Sequence, residues 1–154
     1  MAKITVQNLN ALKQLEGKQL PESDWLVISQ EMINEFASAT KDNQWIHTDV
    51  ERARKASPFG RPVAHGFLSL SLISKFLHEI LEVSSVNMGV NYGLNKVRFP
   101  APVMAGSKLR LSARIAKQEA YADKGLKITW YCTLEIEKED KPACVAEFIS
   151  LMFE

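Results

Sequence analysis

Residues 65–81, HGFLSLSLISKFLHEIL, leave little choice of architecture. On a helix, Leu68, Leu70, Leu72, Ile73, Phe76, Leu77, Ile80 and Leu81 cover most of the circumference, and only Ser71, Lys75, His78 and the following Glu82 line up as a polar stripe. A helix that is apolar around most of its surface has to be enclosed. The enclosing material follows in the chain. After Ser84 the pattern turns to period two, and residues 89–99 run into Pro100-Ala101-Pro102, which ends a strand. Leu109, Leu111, Ala113 and Ile115 alternate with Lys108, Arg110, Ser112 and Arg114. Leu126, Ile128, Trp130, Cys132, Leu134 and Ile136 alternate with Lys127, Thr129, Tyr131, Thr133, Glu135 and Glu137. Both runs predict half-buried strands. Residues 143–153, after a turn at Glu139-Asp140, supply a last one. The fold class is therefore α+β, an antiparallel sheet wrapped on one long helix. A sheet covered on one face keeps free edges, so association through the sheet is expected.

The first half of the chain reads as short pieces. Val6, Leu9, Leu12 and Leu15 predict an N-terminal helix stopping at Gly17. Trp25 to Ile28 is a strand candidate. Ser29 is a helix N-cap ahead of Met32, Ile33, Phe36 and Ala37, in a helix running to about Thr40. Thr48-Asp49 caps a further helix over 50–56, before a Ser57-Pro58-Phe59-Gly60 turn. If the 139–140 turn is a two-residue hairpin, Cys132 and Cys144 point to opposite faces and form no disulfide.

At 154 residues, a single domain spanning 1–154 buries roughly 68–70% of its unfolded surface. A net charge of +1 without a Lys/Arg run makes nucleic acid no default partner. Two distant cysteines do not make a zinc site of the Cys-pair type. Polar residues among the first twenty exclude a signal-peptide core, and no apolar run is long enough to span a bilayer. A soluble, cytoplasmic setting is the expectation.

Residues 36–66, FASATKDNQWIHTDVERARKASPFGRPVAHG, gather the chemistry. Asp42 and His47 stand five residues apart, which on a regular helix sets them about 140° from one another. Asp-Asn opens turns, so 42–47 is expected to be a turn that aims both groups the same way, outside the core. Pro62-Val63-Ala64-His65-Gly66 then starts the long helix, whose first turn offers unpaired N–H groups and the positive end of the dipole. Acid, imidazole and oxyanion-binding helix start are the parts of an acid–base site. His65 is expected to pack or hydrogen-bond at the helix start, not to act as acid or base. His78 falls on the polar stripe.

This order of parts resembles the hot-dog fold and, within it, the MaoC-like, (R)-specific enoyl-CoA hydratase family. The residues that carry the resemblance are Asp42-Asn43-Gln44-Trp45-Ile46-His47, Pro62-Val63-Ala64-His65-Gly66 and Asn95-Lys96-Val97-Arg98-Phe99-Pro100-Ala101-Pro102-Val103. It covers about residues 20–154, and the wording of 36–70 is closest to the nodulation protein N branch. It implies that Asp42 and His47 are the catalytic acid and histidine holding one water, and that Gly66 N–H receives the thioester oxygen. It places Ser74 close to that pair. Gln44 stands where the family has a site-orienting Asn, Trp45 where it has a Pro, and Lys41 where a Gly often precedes the acid.

The implied activity is reversible hydration of a 2-enoyl thioester, a hydro-lyase reaction of fatty acid metabolism. No metal or redox cofactor is expected, because coenzyme A or a phosphopantetheine carrier is part of the substrate. The implied partners are an acyl thioester and a second copy of the chain, as a homodimer or higher homo-oligomer, without nucleic acid or membrane. The alternatives on the same fold are an acyl-CoA thioesterase and a non-catalytic acyl-thioester binder. Trp45 and Gln44 speak for the binder, Asp42 and His47 against it.

Overall fold

A computed structural model describes residues 2–154. The elements in chain order are β1 (Ile4–Val6), α1 (Leu9–Leu12, continued as a 3-10 turn Lys13–Leu15), β2 (Leu26–Val27), α2 (Gln30–Thr40), α3 (Trp45–Thr48), α4 (Val50–Ala56), α5 (Gly66–Ile80), β3 (Leu81–Val83), β4 (Met88–Arg98), β5 (Lys108–Tyr121), β6 (Gly125–Ile136) and β7 (Cys144–Phe153). A five-stranded antiparallel sheet runs β2-β5-β6-β7-β4, and β1 and β3 form a small parallel pair.

Helix α5 lies against the concave face of the large sheet. Its Ile73, Phe76, Leu77 and Ile80 join Leu111, Ile115, Ile128, Trp130, Leu134 and Phe148 from β5 to β7 in one core. Phe76, Ile80, Leu111, Ile115, Ile128, Trp130 and Leu134 have no exposed surface, and each side chain of this size contributes ~1.5–3 kcal/mol by leaving water. Trp130 keeps its indole donor satisfied inside the core by donating to Ser150 Oγ at 2.8 Å. Ser71, Lys75 and His78 of the expected stripe are solvent-exposed, and Lys75 pairs with Glu79. Glu82 lies past the end of α5, in β3.

Ser29 and Asp49 cap α2 and α4 as expected, accepting from Met32 N and Arg52 N. Two expectations need correction. Val6 belongs to β1, not to a helix: the apolar three-residue spacing continues across an Asn8 cap that starts α1 only at Leu9. The link from β6 to β7 spans 137–143 instead of two residues, which keeps Cys132 and Cys144 on the same, core-facing side. They are diagonal neighbours, Cys132 opposite Ala146 and Cys144 opposite Leu134, and both are free thiols. The alternating strands β5 and β6 are interior strands. The outer side of β5 is covered by backbone bonds from Gly17 N to Ile115 O, Leu20 N to Ala113 O and Ser23 N to Leu111 O, so the open edge is β4.

Burial pushes the Cys132 thiol up to about 12, with Cys144 beside it adding to the shift, and burial raises Cys144 to about 11. Thiolate is the reactive form. Native protein at pH 8 should therefore resist iodoacetamide at both positions, and both should alkylate in urea. Mass spectrometry of native and unfolded samples checks this, and rapid native alkylation would contradict it.

Candidate active site

Helix α2 ends at Lys41, which adopts the left-handed conformation at φ 64°. A glycine takes that conformation without strain; a lysine does not. Asp42, Asn43 and Gln44 follow as an exposed, non-helical link, and α3 then carries Trp45, Ile46 and His47. The expected turn is thus an extended link plus one helical turn. This also corrects the expectation that both groups lie outside the core: Asp42 is exposed, but His47 is buried at 7% exposure.

His47 is held from three sides. Its Nδ1 lies 2.6 Å from Val63 O. A carbonyl oxygen only accepts, so the neutral ring carries its proton on Nδ1 and leaves Nε2 as a free acceptor. Gln30 Nε2 donates to the main-chain oxygen of His47 at 2.8 Å and to Asn34 Oδ1 at 2.9 Å. The ring of His65 stacks on that of His47, centroids 3.7 Å apart and planes 22° apart. Asp42, His47 and His65 bring a carboxylate oxygen and one ring nitrogen each to within 4.8 Å of one another. Two imidazoles and a carboxylate can ligate a metal, but His47 Nδ1 and His65 Nε2 are each already engaged by a main-chain oxygen.

Gly66 is the first residue of α5, where the helix itself supplies no acceptor for the N–H. A Cβ there would meet the Phe99 ring at 3.1–3.2 Å, so glycine also lets that ring close over the helix start. Beyond it, two cavities of about 330 and 310 Å³ lie between α5 and β4 and share Ser74, Asn91 and Phe148. Their other walls include Phe67, Leu70, Leu94, Leu77 and Trp130.

The structure brings Asp42, His47 and the start of α5 together. Ser74 sits farther along α5 and bonds Asn91 Oδ1 at 3.4 Å, with no hydrogen bond to the pair. The Gln44 side chain is exposed, and the residue contributes through its main-chain oxygen, which accepts from His47 N at 3.0 Å and Thr48 Oγ1 at 3.3 Å. Trp45 is half-buried beneath the Arg52 guanidinium, 4.3 Å from the ring centroid. Sequence reasoning missed the support given by Gln30, which carries no signal in the chain. His65 packs and hydrogen-bonds at the helix start as expected, against Phe36, His47 and the Asp42 main-chain oxygen.

The family model described as the MaoC like domain matches residues 12–133. The chain belongs to the MaoC-like domain family. A protein of Mycobacterium tuberculosis named 3-hydroxyacyl-thioester dehydratase Z is 45% identical over 145 residues, covering 94% of this chain and 95% of the relative. Nodulation protein N of Rhizobium leguminosarum bv. viciae is 40% identical over 137 residues, covering 88% and 85%. Among solved structures, the unliganded R-hydratase PhaJ1 of Pseudomonas aeruginosa superposes with a TM-score of 0.73 at 22% identity, over 97% of this chain and 88% of that one. The MaoC-like chain therefore has the hot-dog architecture expected from its sequence. Among the described residues, no helix is long and apolar enough to cross a membrane.

Proposed function

We propose that the protein is an (R)-specific hydro-lyase that adds water across the double bond of 2-enoyl thioesters and removes it from 3-hydroxyacyl thioesters. Hydration and dehydration are one equilibrium read in opposite directions, which agrees with the name of the mycobacterial relative. The observation that carries the reading is the juxtaposition of Asp42 and the buried His47 at the start of a helix with a free N–H.

A carboxylate oxygen of Asp42 and a ring nitrogen of His47 lie within 4.8 Å of one another, which leaves room for one water at an ordinary hydrogen-bond distance of ~2.8 Å from each. His47 Nε2, the free acceptor, takes a proton from that water as its oxygen bonds C3 of the substrate. Asp42 holds the water through its other hydrogen. Electrons of the double bond shift toward the thioester carbonyl, and the Gly66 N–H meets the oxygen as its charge grows. A donor of that kind contributes on the order of 10²–10³ in rate. The His47 imidazolium then returns its proton at C2, so one water is consumed and the enzyme is regenerated. The acyl chain lies in the apolar groove between α5 and β4. No metal or redox group takes part, and coenzyme A or phosphopantetheine arrives with the substrate. The working unit is a homodimer, and buried free cysteines suit a reducing cytoplasm.

Crotonyl-CoA is the test substrate. Loss of the enoyl-thioester absorbance without release of thiol, unchanged by dialysis against EDTA, is the expected result. Free thiol would instead mark a thioesterase, and tight binding without either change a non-catalytic acyl-thioester binder.

A further inference from the structure

The hydration scheme uses Asp42 and His47 and leaves His65 idle, yet His65 is the residue that touches both. Its Nε2 lies 3.0 Å from the main-chain oxygen of Asp42, so that nitrogen carries the proton. The Asp42 carboxylate stands 4.0 Å from the same nitrogen. One face of the ring is against His47, and Phe36 packs at a tilt with centroids 4.8 Å apart. The residue is 4% exposed, and its Nδ1 is buried without a hydrogen-bond partner.

A buried ring nitrogen without a partner is costly, and an apolar side chain would fill the slot without it. What histidine adds is the donor at Nε2. The link it secures needs an anchor: Lys41 is in a left-handed conformation, Asp42 to Gln44 are exposed, and helix bonding resumes only at the Gln44 oxygen, which accepts from His47 N. Asp42 N has only a long contact of 3.4 Å with Thr40 Oγ1. Without the His65 donor, the link would be held only beyond Asp42, by Thr48 Oγ1 at the Asn43 and Gln44 oxygens, and the plane of His47 would lose its facing ring.

We infer that His65 is a positioning residue for the acid–base pair: its Nε2–H fixes the main chain at Asp42 while its ring face fixes the plane of His47. The inference rests on the hydration reading for its effect on rate, but not for its effect on the loop.

The two nitrogens can be separated chemically, because a glutamine places an amide near the Nε2 position and an asparagine near Nδ1. His65→Gln should keep kcat on crotonyl-CoA within about threefold of wild type. His65→Asn and His65→Leu should each lose roughly 10- to 100-fold in kcat with little change in KM, the size expected when catalytic groups are misplaced but still present. Amide hydrogen exchange across 42–47 should speed up in His65→Asn and His65→Leu and stay near wild type in His65→Gln. Thermal melts identify any variant that fails to fold. If His65 only packs, His65→Leu will match or exceed His65→Gln in both rate and exchange, and the inference is overturned. If wild type does not hydrate enoyl thioesters, the exchange pattern still decides whether His65 holds the loop.

Discussion

Replacing Asp42 with Asn, or His47 with Asn or Gln, is expected to lower hydration on the order of 10²–10⁴-fold in each case. The size follows from the role: each variant keeps a polar group of similar volume but loses the carboxylate or the free ring nitrogen that holds and activates the water. The two His47 variants should part company in stability. Asparagine keeps an amide donor near Nδ1 for the Val63 oxygen, whereas glutamine moves its amide outward and leaves that buried carbonyl unpaired. The cost of the unpaired group is about 1–3 kcal/mol, so His47→Gln should unfold at lower urea than His47→Asn. Asp42→Asn, at an exposed position, should be close to neutral. The double variant Asp42→Asn/His47→Asn should be barely slower than either single one, since groups that hold one water act as a unit. Near-normal turnover of the single variants in steady-state assays would end the acid–base reading.

The parts of the fold that could be read from the chain are those whose side chains repeat a period many times. Helix α5 is apolar over about four turns, and β6 alternates without a break from Leu126 to Ile136. β1 and β3 could not be read this way: each is three residues long, too short to display a period, and they exist because Ile4, Thr5 and Val6 meet Leu81, Glu82 and Val83 across the chain. The β6–β7 link failed for a related reason. Turn residues announce a reversal but not its length, and the extra residues decide on which face Cys144 falls. At the site, Asp42 and His47 were legible as a pair of residue types at a fixed spacing. The stack of His65 on His47 was not, because it depends on how the link 42–44 and the start of α5 meet in space. Even the burial of His47 inverts the expectation from its loop-like surroundings. One helical turn, pinned by Val63 and Gln30, carries it inward.

Breaking the exposed edge of the sheet should have an effect as large as disabling the site. β4 pairs with β7 on one side and, among the described residues, has no strand on the other. Along it Met88 is 52%, Val90 39%, Tyr92 52% and Leu94 45% exposed. A long apolar edge of this kind invites another strand, and an antiparallel β4–β4 contact between two copies satisfies it by joining the sheets. The wild-type protein should therefore sediment at twice 17.3 kDa, about 35 kDa, at micromolar concentration. Val90→Lys combined with Leu94→Lys should yield the 17.3 kDa monomer. Each chain would bring two charges into a dry contact, at several kcal/mol per desolvated charge, so a loss of at least about 10³-fold in dimer affinity is expected. Turnover should fall with the dimer, because Tyr92, Gly93 and Leu94 also wall the groove assigned to the acyl chain. A wild type that stays monomeric at micromolar concentration would place the groove open to water on one side, and the site would then have to work without a second copy to close it.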